Sequence, residues 1–280
     1  MTAVAGRTAS AHGKISAVPR RTAVSLRNIT CRFGAYTAVD GADLIVGDGE
    51  FVSVIGPTGC GKSTLLNVVA GLLPPVEGDA EIFGKPLVGL NKSAGYMFQS
   101  DSLFPWMTAL DNAQIGLEFR GVAPAERREW AAVWLKRVGL SGHEHKYPHQ
   151  LSGGMRKRVS LAQMLVTDPQ ILLMDEPFSA LDVQTRLLME NELLEIWSTD
   201  RKSVVFVTHD LEEAISLSDR VVILSAGPAT KPIGEFVIDL PRPRDMAEIK
   251  HMPRFVELHR EIWAAMKEEV LKAYAVNKRQ

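Results

Sequence analysis

Four short runs of apolar and β-branched residues punctuate the chain, at 51–55, 171–174, 204–207 and 221–224. None shows the polar alternation of a half-exposed strand, so each predicts a strand buried on both faces. Stretches with helical spacing lie between them, among them 65–72 and 155–166. This alternation predicts an α/β fold with a largely parallel sheet, whose ligands gather at the carboxyl ends of the strands. From about 100 to 163 the pattern changes to one rich in Trp, Ala, Leu, Arg and Glu, which predicts an inserted helical subdomain punctuated by Gly121 and the Gly139 to Gly142 turn. Beyond Leu240, Pro241-Arg-Pro-Arg predicts an extended connection, and amphipathic helical sequence follows.

Composition narrows the function. The 280 residues are 46% apolar, enough for a substantial core. Lys plus Arg (32) balances Asp plus Glu (33), so no net field marks the chain for nucleic acid, and none is expected as a partner. Cys31 and Cys60 make neither a disulfide framework nor a CxxC site, which fits a reducing compartment. No apolar run approaches the roughly 18 residues of a membrane span, so a membrane role calls for a partner. Residues 1–21 carry Arg7, Lys14, Arg20 and Arg21 without an acid and read as a disordered tail, a bias shared with organellar transit peptides.

The segment Gly56-Pro-Thr58-Gly59-Cys60-Gly61-Lys62-Ser63-Thr64 stands between a predicted strand and a predicted helix, the setting of a P-loop. Its glycines let backbone N–H groups turn toward phosphate oxygens at the positive end of the helix. Lys62 supplies a mobile charge for the β and γ phosphates, Ser63 a hard oxygen for Mg²⁺, and Thr64 a further phosphate contact. Cys60 reads as a small filler with no activating base. Downstream, the run at 171–174 ends in Asp175-Glu176, and a buried strand that releases two carboxylates at its tip suits cation binding and proton transfer. Asp175 is placed to hold Mg²⁺ through water, and Glu176 to orient and deprotonate an attacking water.

Leu151-Ser152-Gly153-Gly154, ahead of a predicted helix, makes a second anion-binding turn. It resembles the signature of ATP-binding-cassette (ABC) ATPases, and the resemblance covers about 24–240 in the family's order. It implies ATP and Mg²⁺ as ligands and a P-loop ATPase core with an antiparallel β part near the N-terminus. It divides the chain into the tail (1–21), an ATPase domain (22–240, with the helical subdomain at about 100–163) and a C-terminal helical extension (241–280). Gln99 matches the glutamine that senses Mg²⁺ and the attacking water, Ser179-Ala-Leu-Asp182 the loop that crosses between subunits, and His209 the histidine that contacts the γ-phosphate. Phe33 aligns with the aromatic that stacks on adenine, with Tyr36 as its rival.

Met155 stands where many members carry glutamine, and Leu161-Ala-Gln163-Met164 departs from the isoleucine-alanine-arginine-alanine common in importers. Leu103-Phe104-Pro105-Trp106, Asp182-Val-Gln-Thr-Arg186 and Asp239-Leu-Pro-Arg-Pro-Arg244 resemble importers of nitrate, sulfonate and taurine. The resemblance implies a homodimer or a pair with a closely related ATPase subunit, transmembrane permease subunits, an extracytoplasmic solute-binding protein beyond them, and a peripheral place on the cytoplasmic face of the inner membrane. A non-transport ABC ATPase that clamps a macromolecule is the alternative. The apolar cluster Leu103, Phe104, Trp106 and Met107 is expected at the surface that meets the permease. His143, His145 and His149 lack zinc-motif spacing and read as solvated.

Overall fold

A computed structural model describes residues 21–277; the expected tail lies, apart from Arg21, outside the described residues. The apolar runs become the middle of a six-stranded sheet with the order β10-β9-β3-β8-β7-β6. Its strands are β3 (Phe51–Ile55), β6 (Ala94–Met97), β7 (Ile171–Asp175), β8 (Ser203–Val207), β9 (Arg220–Leu224) and β10 (Pro232–Val237). All neighbours run parallel except β10, which is antiparallel to β9. The uninterrupted apolar pattern has a direct cause. Val204 and Phe206 of β8 enter the core on one face, while Val205 and Val207 enter the core on the other. Leu172 and Leu173 of β7 divide in the same way. With apolar layers on both faces, the strand interiors are almost wholly apolar, Ser53 of β3 being a buried exception.

On one face lies α1 (Lys62–Ala70), roofed by a four-stranded antiparallel sheet of order β2-β1-β4-β5. That sheet comprises β1 (Thr22–Phe33), β2 (Tyr36–Gly47), β4 (Glu77–Ile82) and β5 (Lys85–Pro86). On the other face pack α2 (Ala109–Phe119), α3 (Pro124–Arg137), α4 (Gly153–Leu165) and α5 (Val183–Thr199). Trp197 of α5 is 1% exposed and meets Phe51 edge-on at 5.7 Å, joining that layer to the central strand. A third core, beneath β9, holds α6 (Leu211–Leu217) and the apolar face of α7 (Pro253–Asn277). Among the described residues no helix is long and apolar enough to cross a membrane.

The structure shifts several predicted boundaries. α1 starts at Lys62 and stops at Ala70, two residues before the expected end, because Gly71 turns left-handed and returns its N–H to the carbonyls of Asn67 and Val68. The stretch expected to be helical from about 100 to 163 is irregular before Ala109, where Pro105 interrupts it, and between α3 and α4 it holds only the Gly139 to Gly142 turn and a single 3-10 turn opened by Pro148 (Pro148–Gln150). The Pro241-Arg-Pro-Arg segment is more than a connection. Arg244 is 8% exposed and donates to the carbonyls of Ser216 (3.0 Å) and Ser218 (2.7 Å), satisfying groups that the end of α6 leaves open, and to that of Leu240 (3.2 Å). Arg242 donates to Asp219 (2.8 Å) and lies over the Trp197 ring at 4.3 Å.

Arg244→Met should therefore strip those buried carbonyls of their donor and lower stability by about 2–4 kcal/mol. Urea unfolding would show this as a lower midpoint at constant slope, and an unchanged midpoint would make the contacts energetically idle.

Candidate nucleotide-binding and catalytic site

The P-loop, 56–61, links β3 to α1 at the carboxyl edge of the sheet. Gly61 caps α1 in the left-handed region (φ 104°), open to glycine at little cost. No side chain caps this helix, so its first amides remain available to an anion. Thr58, Gly59 and Ser63 are exposed, Thr64 is half-buried, and Gly56 is buried. Lys62 is 5% exposed; its Nζ donates to the carbonyls of Gly56 (2.9 Å) and Pro57 (3.0 Å), bracing the loop from within. Cys60 is buried and burial pushes its thiol up, which keeps it protonated and agrees with its reading as filler.

β7 runs parallel to β8 and carries Asp175 to the same edge. Ser63 Oγ donates to Asp175 Oδ1 at 3.0 Å, so two hard oxygen ligands meet beside the loop, a donor pair that fits Mg²⁺. Burial pushes the Asp175 carboxyl up and the Glu176 charge adds to it, while Ser63, Lys62 and Tyr96 oppose the shift. A bound cation would favour its ionised form. The next residue breaks the strand. Glu176 adopts φ 43°, a conformation that costs a non-glycine residue about 1–3 kcal/mol. Three contacts hold it there: its N–H donates to the Val207 carbonyl (2.8 Å), and its own carbonyl accepts from Ser179 N–H (3.3 Å) and Ser179 Oγ (3.0 Å). Phe178 anchors the exit, fully buried and 6.1 Å from Phe206.

That turn aims the Glu176 carboxylate at residues far away in sequence. Its Oε2 accepts from Gln99 Nε2 at 3.3 Å and lies 3.0 Å from His209 Nδ1, which donates when that nitrogen carries the proton. Gln99 follows β6, and His209 follows β8 and Thr208. The Thr208 hydroxyl donates to Glu213 and accepts from the Asp210 N–H at 3.0 Å. Asp210 caps α6 through the amides of Glu212 (2.9 Å) and Glu213 (3.2 Å) and pairs with Arg186 at 3.2 Å, so the loop that carries His209 is tied at both ends.

The other predicted residues make no hydrogen bond to this cluster. Ser152 caps α4, accepting from the Met155 N–H at 3.3 Å, and hydrogen-bonds to no P-loop residue. Gly153 and Gly154 open the helix, and a Cβ on Gly154 would stand 2.5 Å from Thr185 Cγ2, so the approach of α5 leaves no space for a side chain. Phe33 and Tyr36 face each other across the β1–β2 turn, both about half-exposed. Of the apolar cluster after Gln99, only Trp106 projects fully, at 70% exposed; Leu103 packs on the core and Phe104 is half-buried, its N–H held by Asn112 Oδ1 (2.7 Å).

Two contributors escaped the sequence reading. Tyr96, three residues before Gln99, donates to Asn67 at 3.1 Å; burial, then Asp175, pushes its phenol up. Lys157 lies between Arg156 and Arg158, yet it is 2% exposed and reaches the Gln99 carbonyl at 2.6 Å. A lysine in a basic run gives no sign of burial.

Residues 39–179 match the family model described as ABC transporter. An uncharacterized ABC transporter ATP-binding protein of Methanocaldococcus jannaschii is 49% identical over 237 residues, covering 84% of this chain and 86% of its own. A bicarbonate transport ATP-binding protein of Synechocystis is 42% identical over 228 residues, covering 80% of each chain. A dimeric ATP-binding cassette solved in a post-hydrolysis state with ADP and Pi superposes with a TM-score of 0.69 at 33% identity, over 78% of this chain and 100% of that one. The chain belongs to the ABC transporter family and is one of its ATP-binding subunits, an ATPase.

Proposed function

We propose that this subunit hydrolyses ATP to drive solute uptake through a separate permease, at the cytoplasmic face of the inner membrane. The convergence of Gln99 and His209 on Glu176, beside the Ser63–Asp175 pair, is the observation that carries the hydrolytic part. Uptake is supported by the bicarbonate transport relative and by the Leu103-Phe104-Pro105-Trp106 resemblance to importers of nitrate, sulfonate and taurine. Those solutes are small and each carries an anionic group. In this reading 22–240 form the ATPase domain, with a helical subdomain at about 100–163 and an extension at 241–280.

The P-loop amides and Lys62 bind the β and γ phosphates of ATP, Lys62 leaving the carbonyls of Gly56 and Pro57 to do so. Phe33 or Tyr36 stacks on the adenine. Ser63 and Asp175 would hold Mg²⁺, with Gln99 nearby, and the ion would neutralise charge on the β and γ phosphates. Glu176, fixed by its turn, accepts a proton from the attacking water, while Gln99 and His209 orient that water and the γ-phosphate. Because Ser152 and Gly154 stand away from this cluster within the chain, they complete the phosphate site of a second copy in a head-to-tail pair.

Lys62→Ala should abolish Mg²⁺-dependent hydrolysis through loss of phosphate binding. Glu176→Gln should keep ATP binding and lower kcat roughly a hundredfold or more. Equal turnover in Glu176→Gln and wild type would remove Glu176 from the proton transfer.

With MgATP, Glu176→Gln should move from monomer to dimer in light scattering, because binding continues and breakdown does not. Adding Ser152→Arg should hold it monomeric. A protein that binds ATP tightly but stays monomeric, alone and with its permease, would refute the shared site.

Phe104→Ser with Trp106→Ser should lower solute uptake in a reconstituted permease complex and spare basal hydrolysis. Uptake at the wild-type rate would make the cluster part of the helical packing only.

A further inference from the structure

The loop that presents Gln99 is held almost entirely by one helix. Lys157 of α4 donates from Nζ to the Gln99 carbonyl at 2.6 Å and to the Phe98 carbonyl at 3.4 Å, and pairs with Asp101 Oδ1 at 3.4 Å. One residue earlier, Arg156 Nε donates to Asp101 Oδ2 at 2.7 Å, and its Nη1 to the Leu151 carbonyl at 2.9 Å. One turn later, Ser160 Oγ donates to the Asp101 carbonyl at 2.6 Å. Three side chains of α4 therefore grip 98–101, and Arg156 ties the same loop to the turn that opens the helix.

Lys157 is the unusual member. A lysine 2% exposed bears a desolvation cost that only close acceptors offset. Here the acceptors are two loop carbonyls and one loop carboxylate. Burial pulls its pKa down, while Asp101 acts in the opposite direction. The ammonium contacts neither the Glu176 carboxylate nor the Gln99 side chain, so any influence on hydrolysis passes through the backbone that aims Gln99 Nε2 at Glu176.

We propose that Lys157 is a positioning residue for hydrolysis: its buried ammonium fixes the Gln99 backbone to α4, so that Gln99 and the Ser152-Gly-Gly turn at the start of that helix move as one piece. This rests on the reading of Gln99 as a participant in hydrolysis. A helix displaced by nucleotide or by a permease would then carry Gln99 toward or away from Glu176.

The test compares Lys157→Met, Lys157→Gln, Gln99→Ala and the Lys157→Met/Gln99→Ala double variant in the full-length chain. Without nucleotide, amide hydrogen exchange at 98–102 should accelerate roughly tenfold in Lys157→Met and less in Lys157→Gln, which keeps an uncharged NH₂ donor. With MgATP, Lys157→Met should lower kcat roughly tenfold at nearly constant KM, and Lys157→Gln should recover part of it. The double variant should be no slower than Gln99→Ala, because a residue that acts through Gln99 has nothing left to position. Unchanged exchange, or losses that multiply in the double variant, would overturn the proposal. If Gln99→Ala alone keeps wild-type kcat, the role of Gln99 fails, and exchange at 98–102 still decides whether Lys157 anchors the loop. Should Lys157→Met fail to fold, Lys157→Gln and Asp101→Asn carry the same two readouts, with faster exchange expected in both and wild-type exchange in both overturning the anchor.

Discussion

A strand buried on both faces cannot hold a charge along its length, so β7 releases its two carboxylates only where it leaves the sheet. Everything at the site is arranged around that exit. Asp175 stays in register with β8 and meets Ser63, while Glu176 turns into the left-handed region and points elsewhere. One strand thus aims neighbouring acids at two different targets. The strained turn persists because Val207, Ser179 and the buried Phe178 hold it from three sides.

The parallel order of the sheet explains why partners distant in sequence reach the same point. β3, β6, β7 and β8 all run in one direction, and the P-loop, Gln99, Glu176 and His209 each follow the carboxyl end of one of them. Apolar cores on both faces set the strand positions, and Trp197 against Phe51 and Arg242 joins the central strand to the outer helices. Rigidity at the edge is a consequence of packing well away from it. Arg244 extends the same logic to α6, whose N-terminal cap belongs to the loop that carries His209.

Loops over this edge are tied less to the sheet than to helices. The segment at 98–101 is gripped by Arg156, Lys157 and Ser160, so its position depends on where α4 lies. The segment at 208–210 is fixed to α6 and, through Asp210 and Arg186, to α5. Two of the groups facing Glu176 thus answer to different helices, a physical route by which motion of either could reach the carboxylate.

Much of this was legible in the amino-acid order. Continuous apolar runs betray doubly buried strands, glycines between a strand and a helix betray a phosphate loop, and acids at the tip of an apolar run stand out because such positions are costly. The order of those segments was enough to point to the ABC family and its α/β fold. Helix ends were less legible, since Gly71, Pro105 and Pro148 act through local backbone geometry that propensity alone does not resolve. Chain order cannot report which side chains meet across dozens of positions or which polar ones are buried. That Glu176 faces both Gln99 and His209, that Arg244 closes the end of α6, and that a lysine within an ordinary basic stretch lies buried under a loop were settled only by tertiary structure. Burial and direction belong to the packed chain, and a one-dimensional pattern records residue type without the neighbours that determine what it does.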